Sequence, residues 1–325
     1  MIEDVINNFP AQFAYEPDVH HREHLPKSHA YIIAGMGGSA LAAELMRARD
    51  TEREIFIHRG YGLPRASESV LRRAVLIAIS YSGNTEETLD AFTKAYAHGM
   101  RVAVIASGGK LIELAVEHNI PFIQIPNTGI QPRHASGFIL KALMRIIGDE
   151  AGLAEMGALV ALLHPMRYKQ EGKVLAEKLK GKVPVIYASS ENSAIAYNWK
   201  IKFNEGAKIP AFCNVFSELN HNEMTGFDVI DSTRSLSEKF HFIFLVDEHD
   251  HPRIAKRMEL TKGLYETRGL PVEIVKIEGE TAWHSIFVSL VLADWTAYYC
   301  AMQYGTEPEQ VPMVEEFKEI LQRET

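Results

Sequence analysis

Apolar positions along the chain come in two textures. Short runs rich in Val and Ile, apolar on both faces, occur at residues 31–34 (YIIA), 54–57 (EIFI), 74–79 (AVLIAI), 101–106 (RVAVIA) and 121–125 (PFIQI). A strand without polar alternation is covered on both sides, which predicts buried parallel strands. Helix-length stretches separate them at 40–49, 86–98 and 111–118, the last stopped by Asn119 and Pro121, and another is predicted at 134–147. The second half repeats the grammar. Runs at 183–188 (VPVIYA), 210–216 (PAFCNVF), 241–246 (HFIFLV) and 272–277 (VEIVKI) predict strands, and 165–179, 193–204, 253–268 and 281–303 predict helices.

Strands alternating with helices imply right-handed βαβ crossovers, so the fold class expected is α/β with two doubly wound parallel sheets. Residues 147–165 are expected to hold the junction, because Gly148, Gly152 and Gly157 loosen an otherwise helical stretch. That places the domains at 1–152 and 153–325. A chain of 325 residues suits two domains of ordinary size.

Composition then removes whole classes. The net charge of −8 argues against a protein that tracks nucleic-acid phosphates. Two cysteines, Cys213 and Cys300, provide no disulfide framework and no Cys-rich zinc site. The histidines scatter without an HExxH spacing, so no metal and no cofactor are expected. The stretch DEHDH at 247–251 has metal-like residue types but follows a strand, where a solvated polar turn is expected. His20, His21 and His24 read as surface residues. The acidic start, MIEDVINNFPAQ, has no apolar core, and no run approaches the ~20 uncharged apolar residues of a membrane span. The expectation is a cytoplasmic protein without membrane or nucleic-acid partners.

Two loops at strand ends carry candidate chemistry. Gly35-Met36-Gly37-Gly38-Ser39 joins YIIA to an Ala-rich helix, and its small residues let backbone N–H groups face an anion at the helix N-terminus. A tight packing turn has the same composition. The loop lacks the third glycine of a dinucleotide fingerprint, since Ala40 occupies that place. The second loop, Ser80-Tyr81-Ser82-Gly83-Asn84-Thr85-Glu86-Glu87-Thr88, follows AVLIAI and sets the hydroxyls of Ser80, Ser82 and Thr85 around a Gly-Asn turn. Such hydroxyls, with helix N–H groups, can cradle a phosphate without a cation. A helix cap would need only one of them. Neither loop has the lysine of a nucleoside-triphosphate site.

GMGGS after the first strand and SYSGNTEET after the third resemble the sugar isomerase (SIS) domain, a doubly wound module that binds phosphosugars. The resemblance implies two SIS domains in this chain.

Three further segments carry groups suited to acid–base chemistry. Glu205, in Asn204-Glu205-Gly206, lies at a predicted helix-to-loop junction, where an arbitrary glutamate usually faces solvent. His221 lies in the polar run Ser217–Glu223, written SELNHNE, and an imidazole is a side chain suited to proton transfer. Arg133, after Pro132, opens the helix predicted at 134–147. Trp283 and Trp295, on the long apolar helix predicted at 281–303, read as anchors of the core or of a subunit contact.

NEGAKIPA followed by FSELNHNEMTGF resembles the bifunctional phosphoglucose/phosphomannose isomerase family. PRHASGF and the C-terminal VPMVEEFKEIL, which matches a family helix, extend the likeness from about residue 33 to the end. The resemblance implies aldose–ketose isomerisation of glucose 6-phosphate and mannose 6-phosphate with fructose 6-phosphate, through an enediolate and without metal. It also implies roles. Glu205 matches the base for C1–C2 proton transfer, and Arg133 the arginine that stabilises the enediolate. His221 matches the ring-opening histidine, which that family supplies from the partner of a homodimer. Lys318 matches a lysine that helps hold the substrate. Gly37, Gly38, Ser39, Ser80, Ser82 and Thr85 match phosphate and sugar contacts. Two features depart from the family's pattern: His134 stands where a small residue is usual, and Ser136-Gly137-Phe138 replaces a more aliphatic sequence. The rival expectations are an aminosugar-phosphate isomerase or deaminase, and a non-catalytic phosphosugar sensor. Against the latter two, no amidotransferase cysteine and no helix-turn-helix signal precede the first module.

Overall fold

The computed structural model describes residues 2–50 and 52–323. The chain forms two units: Asn8–Leu163, and the chain from His164 onward together with the N-terminal helix Ile2–Asn7.

In the Asn8–Leu163 unit, β1 (Ala30–Ala34), β2 (Glu54–His58), β3 (Val75–Ser80), β4 (Arg101–Ala106) and β5 (Phe122–Gln124) form one parallel sheet. Its order is β2-β1-β3-β4-β5. Every residue of β1 and β3 is buried, as expected of strands covered on both faces. Leu76, Ala78, Val104, Phe92 and Leu111 share one core cluster between the sheet and the helices Glu86–Ala97 and Gly109–Glu117. The order in which strands are added switches direction between β1 and β3, and at such a switch point the loops beyond the C-terminal ends of the two strands diverge to leave a crevice. Doubly wound sheets bind ligands in such a crevice.

In the other unit, β6 (Val183–Ser189), β7 (Phe212–Phe216), β8 (Phe240–Asp247) and β9 (Val272–Ile277) form a parallel sheet in the order β7-β6-β8-β9. The aromatic rings of Tyr187, Phe216, Phe242, Phe244 and Tyr265 pack together on one of its faces.

The division between the units falls after Leu163, later than the 152/153 boundary expected from sequence. Gly148 does not begin a linker. It takes the left-handed conformation (φ 76°) that ends the helix Ser136–Ile147, and Asp149 at once caps the next helix, Glu150–Leu162, by accepting from Gly152 N at 2.9 Å. The N-terminal helix also crosses the expected boundary. Glu3 accepts hydrogen bonds from Lys169 Nζ and Tyr298 OH, both at 2.6 Å, and these hold its carboxyl below the usual carboxylate range.

The helix Ala282–Tyr304 is long and apolar enough to cross a membrane, yet 78% of its apolar 18-residue window is buried within the protein. It is a core helix. Trp283 and Trp295 are buried there, and Trp295 Nε1 donates to Pro165 O at 2.9 Å. Neither ring is free to anchor a subunit contact, because both are already covered within the chain. The C-terminal segment is the helix Pro312–Arg323, on which Met313, Phe317 and Ile320 form an exposed apolar row.

Candidate active site

The phosphate-loop residues expected from sequence meet in the Asn8–Leu163 unit at the β1/β3 crevice. The helix Gly37–Arg49 starts directly after β1, with no side-chain cap at Met36, so its first N–H groups have no intrahelical acceptor. Ser39 is buried, and its Oγ accepts from Tyr81 N at 3.2 Å, which ties the first loop to the second. With its oxygen engaged as acceptor, the Ser39 hydroxyl proton remains able to donate.

In the second loop, Ser80 Oγ lies 2.8 Å from Thr85 Oγ1 and 3.5 Å from Ser82 Oγ, and it accepts from Gly83 N at 3.1 Å. Thr85 occupies the N-cap position of the helix Glu86–Ala97, yet its side chain makes no capping bond. It turns to Ser80 instead. Simple capping therefore does not account for the hydroxyl cluster.

A third loop, after β4, fixes the second from behind. Ser107 Oγ donates to Tyr81 O at 2.6 Å, Lys110 N donates to Asn84 Oδ1 at 2.9 Å, and Leu111 N donates to Gly83 O at 3.0 Å. Gly83 has φ 75°, and a Cβ there would lie 1.8 Å from Gly108 O, so only glycine fits. This supporting loop is not among the two candidate loops that the sequence singles out. Ser107-Gly108-Gly109 directly after RVAVIA was the available signal.

Arg133 joins the same crevice. It lies in a short 3-10 turn, Pro132–His134, rather than on an exposed helix start, and both Arg133 and His134 are buried. A Cβ on Gly38 would stand 2.6 Å from Pro132 C and O and 2.8 Å from Arg133 N. The missing side chain at Gly38 is thus what lets the arginine turn approach the phosphate loop.

The remaining candidates belong to the other unit and lie on separate elements. The helix Ser193–Ile201 widens into a π-helical turn, Lys202–Ala207, in which Glu205 is half-buried. Such turns are uncommon and frequent at functional sites. His221 is exposed and follows a short 3-10 turn, Glu218–Asn220, beyond the C-terminal end of β7. Its segment is anchored two residues on, where Glu223 accepts from Tyr187 OH and Asn214 Nδ2, and at Asn220, whose Nδ2 donates to Thr261 Oγ1 at 2.9 Å. Lys318 is exposed on the C-terminal helix.

This unit's own reversal point, between β6 and β8, holds no comparable cradle. Asn192 Nδ2 donates to Ser189 Oγ, Asp247 Oδ2 and Asp250 Oδ1 at 3.2–3.3 Å, so carboxylates occupy the loops where a phosphate would bind. Burial pushes the Asp250 carboxyl above its usual range. The polar run 247–251 is spent on local structure: His249 Nδ1 lies 3.0 Å from Asp247 Oδ1, and His251 Nδ1 accepts from Arg253 N at 3.1 Å.

A family described as the bacterial phospho-glucose isomerase C-terminal SIS domain matches residues 168–321. A bifunctional phosphoglucose/phosphomannose isomerase of Aquifex aeolicus is 32% identical over 323 residues, covering 98% of each chain. One from Caldicellulosiruptor bescii is 35% identical over 308 residues, covering 89% of this chain and 88% of its own. Among solved structures, the C-terminal domain of glucosamine-fructose-6-phosphate aminotransferase from Francisella tularensis superposes with a TM-score of 0.70 at 14% identity. It covers 95% of this chain and 98% of that one, a likeness of fold.

Proposed function

Because the chain belongs to the bifunctional phosphoglucose/phosphomannose isomerase family, we propose that the hydroxyl cradle, Arg133, Glu205 and His221 serve one aldose–ketose isomerisation. The protein is an aldose–ketose isomerase that interconverts glucose 6-phosphate, and mannose 6-phosphate, with fructose 6-phosphate.

The phosphate rests on Ser39, Ser80, Ser82 and Thr85, with Gly37 and Gly38 offering N–H groups. His221 passes a proton to the ring oxygen as the ring opens. Glu205 takes the proton from C2 of the aldose and returns it to C1, while the C2 hydroxyl gives up its proton to become the ketone and the C1 oxygen gains one to become a hydroxyl. The enediolate between these steps carries negative charge, which the Arg133 guanidinium offsets. Lys318 contributes charge toward the bound substrate.

The observation that carries the reading is the hydroxyl cluster of the β3 loop, tied to Ser39 and set beside the buried Arg133 turn by Gly38. A phosphate-sensing protein needs the cradle but has no use for the arginine turn. A homodimer belongs to the same proposal, with His221 supplied by the partner subunit. Exposed Phe212, Ile230 and Leu236 flank the His221 segment in sequence and supply apolar area for that contact. A cytoplasmic location is proposed with it, since sugar phosphates are too charged to cross a membrane unaided.

A coupled assay with glucose 6-phosphate and mannose 6-phosphate, with and without EDTA, tests the proposal. Turnover of both, unchanged by EDTA, is expected. Turnover of glucosamine 6-phosphate alone would replace it with the aminosugar reading, and binding without turnover with the sensor.

A further inference from the structure

The π-helical turn bearing Glu205 is pinned by a buried ion pair that the proposed chemistry leaves unused. Lys202 opens the turn, and its Nζ lies 2.6 Å from Asp294 Oδ1 in the middle of the Ala282–Tyr304 helix. The two side chains are only 7% and 9% exposed. Charges withdrawn from water lose hydration that their mutual attraction repays poorly, so an apolar pair of similar volume would serve stability at least as well. Stability alone therefore does not account for this pair.

Its place in the turn does. A π turn bonds i to i+5 where an α turn bonds i to i+4, so it offsets the side chains it carries from the register of the α-helix it extends. Here the turn is held at both ends. Lys202 is fixed on Asp294. At the far end Lys208 takes a left-handed conformation, φ 59°, and its Nζ donates to the Glu205 carbonyl. Asn204 Nδ2 closes the loop on Ile209 O at 3.0 Å. Between these points, a Cβ at Gly206 would meet Ala297 Cβ at 3.6 Å, an ordinary contact distance, so the turn lies close against the same helix that carries Asp294.

We propose that Lys202 and Asp294 are positioning residues for the isomerase reaction: their ion pair sets the rotation of the π turn and thereby aims the Glu205 carboxylate. The inference rests on the reading of Glu205 as the base. It makes the buried pair a device for conformational specificity, tolerated at no gain in stability.

The test replaces both partners at once, as Lys202→Met with Asp294→Leu, so that no unpaired charge is left buried. The expected protein is folded, with a thermal midpoint at or above the parent's. Its KM stays within about threefold while kcat falls by ~10²-fold, the scale of a misaimed catalytic group. Wash-in of solvent deuterium at C2 falls in step. Lys202→Arg, which keeps the pair, retains nearly full kcat. A folded double variant with kcat within about twofold of the parent would overturn the inference. So would a double variant that fails to fold, because the pair would then be a structural requirement. Glu205→Gln is measured alongside. An active Glu205→Gln enzyme retires the base assignment itself, whereas an inactive one beside a fully active double variant retires only the positioning role.

Discussion

Glu205 and His221 stand at opposite ends of β7. The helix Ser193–Ile201 leaves the C-terminal end of β6 and returns to the far edge of the sheet, where its π-helical extension carries Glu205. The five residues of β7 then run back, and His221 follows their C-terminal end. Five strand residues span about 17 Å. A base acting at C1–C2 and a proton donor for the adjoining ring oxygen must each come within about 3 Å of neighbouring atoms. That separation is one reason for the proposal that the two groups on any one sugar come from different chains.

The phosphate cradle makes its own prediction. Ser82 is exposed at the lip of the β3 loop, and its Oγ accepts from Asn84 N at 3.2 Å. Ser82→Asp sets a carboxylate against the substrate dianion without disturbing the core. KM for glucose 6-phosphate should rise by at least ~10-fold, about 1.4 kcal/mol of binding. An unchanged KM in the folded variant would remove Ser82 from the cradle.

The two glycines of the first loop should part company. Gly37 has φ 48° with nothing within 4 Å of a built Cβ, so Gly37→Ala should cost only backbone strain, about 1 kcal/mol, seen as a lowered thermal midpoint. Gly38→Ala drives a methyl group into the Pro132–Arg133 backbone. It should displace the arginine and depress kcat by ~10²-fold. Equal kcat in the two variants would argue that Arg133 does not depend on Gly38.

A separate titration belongs to stability. His241, on β8, is 4% exposed, and burial lowers its pKa, outweighing the opposing pull of Glu273 at 3.7 Å; the Lys182 charge acts with burial, while Lys178 raises the value through its backbone and lowers it through its charge. The folded state thus favours the neutral ring. That contribution is fully present above the unfolded value near 6.5 and is lost as pH falls through the lower folded value. His241→Phe should therefore lose less thermal stability than the parent between pH 7.5 and pH 5. Parallel curves for the two proteins would contradict the assignment.

Much of this arrangement is legible in the sequence, for physical reasons. β3 and β4 are dense in Val, Ile and Ala because both faces are buried, and a run of that kind is easy to recognise. The β3 loop advertises its three hydroxyls. Other features depend on contacts far apart in sequence. The short polar helix Glu68–Arg73 has one buried residue, Leu71, too few to make a pattern. Gly148 and Gly152 look like a flexible link, and only the Asp149 cap between them reveals two helices meeting at a turn. Arg133 reads only as the opening of a helix, and its approach to Gly38, nearly a hundred positions earlier, is displayed by no local spacing. The π turn at Glu205 is set by Asp294, some ninety positions away, which no local spacing displays.

The shared site is tested most directly by complementation. Glu205→Gln and His221→Ala proteins, each inactive alone, are mixed in equal amounts under conditions that let subunits exchange, with exchange verified independently. If His221 acts across the dimer, each mixed dimer holds one site with both lesions and one with neither, so about a quarter of all sites should regain activity. If His221 serves its own chain, every site keeps a lesion, and a mixture that stays inactive would contradict the account.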